Sequence, residues 1–71
     1  MALVNFSRIE EMLKKCAPTY RMELKTHNWF VYYNGLTFTA LPKYPEIEEC
    51  VVRKMGRTLG ITACLKQFFG W

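Results

Sequence analysis

Three periods of apolar and polar residues succeed one another along the chain, and each predicts an element. Over residues 7–17, Ile9, Met12, Leu13, Cys16 and Ala17 fall at i, i+3, i+4, i+7 and i+8, the apolar stripe of a helix. Ser7 followed by Glu10 predicts a capping box, Lys14 and Lys15 suit the C-terminal dipole, and Pro18 ends the run. Residues 20–25 switch to strict alternation, a half-buried strand. Over residues 28–41, aromatic and β-branched runs flank Asn34-Gly35, the preferred pair for a two-residue hairpin turn. That turn predicts Tyr33 opposite Leu36, Val31 opposite Phe38 and Trp29 opposite Ala40, all on one apolar face. Asn28, Phe30, Tyr32, Thr37, Thr39 and Leu41 then take the other face.

Beyond Pro42 and Pro45, a helix is predicted over 46–59. Glu46, Glu48 and Glu49 fall in its first turn, where the dipole favours acid. Ile47, Cys50, Val51, Met55 and Leu59 lie on one side, Arg53, Lys54 and Arg57 mostly on the other, and Gly60 is the C-cap. Thr62 is expected to cap a last short helix presenting Leu65, Phe68 and Phe69. The order αβββα plus a short C-terminal helix predicts a small α+β fold, a three-stranded antiparallel sheet backed by helices.

At 71 residues this is one domain, 1–71, with no room for a separate cofactor domain. A hydrophobic fraction of 51% excludes disorder. Charge is unevenly placed: the net +4 resides in residues 50–71, where Arg53, Lys54, Arg57 and Lys66 face no acid. A basic C-terminal third points to a polyanionic partner, with a solvated basic helix face as the plain alternative. The three cysteines show no CxxC spacing, and each is expected on an apolar helix side as a reduced thiol. A zinc site would need all three and the lone histidine to converge, so neither metal nor cofactor is expected. Reduced thiols, no signal-peptide pattern at the N-terminus and no stretch as long as a membrane span predict a cytoplasmic protein away from the membrane.

Chemistry narrows to His27, the only histidine, in the connection Lys25-Thr26-His27-Asn28. Imidazole is the side chain best suited to proton transfer near neutral pH. Arg21 and Lys25 are close enough in sequence to hold a phosphate. RNA cleavage asks least of a small protein, because the substrate's own 2′-hydroxyl is the nucleophile. An ordinary loop histidine is the other reading. Phe30 and Tyr32 among Asn28, Thr37 and Thr39 make a mixed aromatic-polar face of the kind that stacks bases, or that a partner chain covers.

The αβββα order, His27 after the first strand and the closing basic helix resemble the HicA-like mRNA interferase toxins of bacterial toxin–antitoxin modules. Lys25-Thr26-His27-Asn28-Trp29-Phe30 stands where that family has its histidine turn. Leu41-Pro42-Lys43 matches the end of its third strand, and residues 52–61 match its last helix. The family's glycine and serine before the histidine are Lys25 and Thr26 here. The resemblance implies a double-stranded-RNA-binding-domain-like fold, a single-stranded RNA substrate, His27 as the catalytic residue and a cognate antitoxin partner. On this reading the chain is a metal-independent endoribonuclease. Arg21, Lys25, Tyr32, Lys43, Arg53, Lys54 and Arg57 would contact RNA, and the second proton-transfer role would fall to Lys25, Tyr32 or water. The rival reading is a non-catalytic RNA- or protein-binding module on the same fold.

Overall fold

Two β sheets and three helices organise the described residues, seen in a computed structural model that describes residues 2–71. Their order is β1 (Leu3–Asn5), α1 (Phe6–Cys16), β2 (Arg21–Lys25), β3 (Asn28–Tyr33), β4 (Leu36–Pro42), β5 (Glu46–Glu48), α2 (Glu49–Leu59) and α3 (Thr62–Phe69). Strands β2, β3 and β4 form an antiparallel sheet in that order. Val31, Phe38 and Leu41 from its inner face join Ile9, Met12, Leu13, Val52, Met55, Leu59 and Leu65 from the helices in one core. The small α+β fold with helices backing a three-stranded sheet is therefore the one predicted. No polar or charged side chain among the described residues is buried, so any chemistry takes place at the surface.

The hairpin at Asn34-Gly35 forms as expected, with both residues at positive φ (53° and 80°) and Tyr33 opposite Leu36. Its far half corrects the predicted register. Val31 faces Phe38, but Trp29 faces Leu41 rather than Ala40, because a bulge gives β4 one extra residue between those pairs. Phe38 and Leu41 both reach the core, while Thr39 and Ala40 both face solvent. Burying Leu41 in place of Ala40 favours the bulged register by about 2 kcal/mol, from some three extra carbons out of water.

The helix starts also differ from expectation. Asn5, not Ser7, caps α1: its Oδ1 accepts from the Ser7 backbone N–H at 2.9 Å and from the Ser7 hydroxyl at 2.7 Å. Ser7 is thus drawn inside the helix, and the Ser7–Glu10 box does not form. Residues 46–48 are not helical but form β5, paired with β1 through Leu3–Glu48, Val4–Ile47 and Asn5–Glu46. Only Glu49 remains in the first turn of α2. Ile61 rather than Thr62 occupies the N-cap of α3, without a side-chain cap.

The cysteine expectation is corrected too. Cys16 and Cys64 form a disulfide joining α1 to α3, and Cys50 is an exposed free thiol. Two half-buried thiols facing each other across packed helices meet the distance a bridge requires, with Cα atoms 5.7 Å apart. The argument from reduced thiols to a reducing compartment goes with them. No helix among the described residues is long and apolar enough to cross a membrane.

Candidate nucleic-acid interface

His27 lies exposed at one end of the sheet, in a two-residue turn that links Lys25 of β2 to its partner Asn28 of β3. Thr26 precedes it with φ 47°. A β-branched residue in that region is strained, at a cost of about 1–3 kcal/mol that the paired strands on either side must offset. The position holds glycine-like backbone without a glycine. Across the turn, the Lys43 backbone N–H donates to the His27 carbonyl at 3.3 Å, so the loop after β4 is fastened beside the histidine. Lys25, His27 and Lys43 thus share one end of the molecule, and all three are exposed.

Next to that end, Phe6, Trp29, Lys43, Tyr44 and Pro45 line a groove of about 310 Å³. Phe6 and Trp29 lie tilted with ring centres 6.2 Å apart, and Tyr44 is 69% exposed. Aromatic faces beside a lysine are what an unstacked base and its phosphate require. The sequence did not single out Phe6 or Tyr44 as lining such a groove. Phe6 enters through the first turn of α1, whose backbone N–H donates to the Pro45 carbonyl at 2.8 Å, a contact no local pattern announces.

Arg21 and Tyr32 are not at this end. They are cross-strand partners near the opposite, Asn34-Gly35 hairpin, and both line a separate cleft with Thr19 and Thr37. Four residues of strand set the Cα atoms of Arg21 and Lys25 about 13 Å apart, so only Lys25 starts beside His27. Glu23 lies between them. Its carboxylate is 3.8 Å from the Lys25 ammonium, and the Tyr32 hydroxyl, then Lys25, then Arg21 hold its pKa below the ordinary value. Tyr32 is raised in turn, chiefly by bonding to Glu23. The Arg21 guanidinium also rests 5.4 Å over the Tyr32 ring.

No family model, curated protein or solved structure matches the chain.

The three basic residues of α2 separate as well. Lys54 and Arg57 are exposed, but Arg53 is half-buried. Its Nε donates to Glu49 Oε2 at 2.7 Å, and its guanidinium stacks 4.6 Å over Trp71, itself stacked on Phe69. Arg53 is thus a structural cation first, anchoring the end of the chain to α2.

Proposed function

We propose that the chain is a metal-independent endoribonuclease acting on single-stranded mRNA, with His27 as its proton-transfer residue. The observation that supports it most is the strained Thr26-His27 turn, flanked by Lys25 and Lys43 and opening beside the aromatic groove of Phe6, Trp29 and Tyr44. In this reading a base stacks in the groove and Lys43 meets the adjoining phosphate. His27 takes the proton of the 2′-hydroxyl as its oxygen attacks phosphorus, the bond to the 5′-oxygen breaks, and the leaving oxygen is protonated by Lys25 or water. Tyr32, engaged with Glu23 nearer the other end of the sheet, is left out of that role. A cognate antitoxin is the protein partner that the resemblance implies.

The test is incubation of single-stranded RNA in EDTA with the protein and with His27→Ala. The variant is expected to fold normally and to lose about 10²–10⁴-fold in cleavage rate. Equal cleavage by both proteins overturns the role of His27. Binding without cleavage by the unaltered protein supports the second reading, a non-catalytic RNA-binding module. The placement of Glu23 between Arg21 and Lys25, where it offsets their charge, favours that reading.

A further inference from the structure

The four cations of residues 50–71 do not simply coat one helix. Arg53 and Arg57 of α2 come together with Thr62 and Lys66 of α3 around a cleft of about 130 Å³, which Leu65 also lines; Lys54 is not part of it. We propose that this cleft binds a phosphate group.

Size argues for a single anionic group, since pockets that enclose whole small molecules run to about 300–1,000 Å³. Charge argues for an anion. Among the described residues neither Arg57 nor Lys66 takes part in an ion pair, and residues 50–71 contain no acid to neutralise them. Arg53 is offset by Glu49 but held in place by it and by Trp71, so its guanidinium need not be ordered on binding. A guanidinium pair, an ammonium and a hydroxyl supply the donors that phosphate oxygens accept. The start of α3, with no side chain capping it, adds a dipole of the same sign.

Close helix packing creates the arrangement. Gly56 lets α3 approach α2 so nearly that a Cβ there would lie 2.8 Å from Leu65 Cδ1. That approach brings Lys66 beside Arg57, although the two sit on different helices. Whether the phosphate belongs to an RNA strand or to a free phosphate compound shares one chemistry, and the first source alone rests on the function proposed above.

The experiment titrates the isotope-labelled full chain with inorganic phosphate and follows backbone amides by NMR. Saturable shifts at Arg57, Thr62 and Lys66 are expected. The double variant Arg57→Gln/Lys66→Gln should weaken phosphate binding by about tenfold, because a charge-assisted bond is worth about a factor of ten and these two exposed cations lose part of that to solvent screening. Lys54→Gln should leave it unchanged. Dispersed amide signals verify folding, and each single Gln variant carries the same expectation at smaller size should the double variant unfold. Absence of saturable shifts, or equal weakening by Lys54→Gln, overturns the proposal. Competition by a short single-stranded RNA, with a salt slope that flattens in the double variant by about 0.7 for each cation removed from the backbone, assigns the phosphate to RNA. An unchanged RNA salt slope in the double variant, together with saturable phosphate binding by the unaltered protein, assigns it to a free phosphate compound. His27→Ala should bind phosphate normally, so a failure of catalysis and a failure of this site are read separately.

Discussion

On the open face of the sheet, Glu23 is the side chain on which three neighbours converge. It draws the Lys25 ammonium, the Tyr32 hydroxyl and the field of Arg21 to one carboxylate. Because its folded pKa is depressed, the stability it contributes is present above the ordinary glutamate range and lost as pH falls through the lowered value. Tyr32 has the opposite sign: its raised pKa gives a contribution present below the ordinary tyrosine value and lost as pH rises past the folded one. Tyr32→Phe removes the largest cause, so the Glu23 pKa should climb back towards its ordinary value. Carboxyl NMR titration of the two proteins checks this, and identical curves would contradict the assignment. None of this was legible in the chain, where Arg21, Glu23 and Lys25 read only as the polar side of an alternating strand. Alternation identifies a face but not which diagonal neighbours meet on it.

At the scale of elements, the close contact of α2 with α3 decides the outcome of a simple substitution. Gly56→Ala improves helix propensity by about 1 kcal/mol, yet its methyl would lie 2.8 Å from Leu65 Cδ1, the tip of a side chain only 1% exposed that must shift within the core. Overpacking of this kind costs about 1–3 kcal/mol, so the variant should be less stable by about 1 kcal/mol, read by urea denaturation. A more stable variant would mean that the helices separate freely. Periodicity predicted α1, the hairpin and α3 well because each carries its apolar signal within a few residues. The bulge in β4 was hidden because Phe38-Thr39-Ala40 continues a plain apolar-polar alternation, and nothing local marks the extra residue that turns Leu41 inward. Strands β1 and β5 were hidden because three-residue segments bury one apolar residue each, Val4 and Ile47, too few to show a period. The candidate site followed the same divide: His27 drew attention as the only histidine, whereas the groove beside it depends on the contact between Phe6 and the loop at Pro45.

For the molecule as a whole, the Cys16–Cys64 bond closes a loop spanning 48 residues, two-thirds of the chain. Constraining the unfolded state over that length contributes about 4 kcal/mol in the chain-entropy account. Net stability for a domain of this size is about 4–10 kcal/mol, so the bond supplies a large share of it. Cys16→Ser/Cys64→Ser, or reduction of the unaltered protein, should lower the thermal midpoint by at least about 10 °C. An unchanged midpoint would show that packing alone holds α3 on α1. The β1–β5 ladder joins equally distant parts of the chain, since Leu3 pairs with Glu48. A ribosome making this protein releases its first strand long before the partner strand exists, and Cys64 emerges later still. Early in synthesis α1 and the β2–β3–β4 meander have only local contacts to draw on. The core, the last helix and the cleft it shapes are therefore completed together, only once α3 has been made.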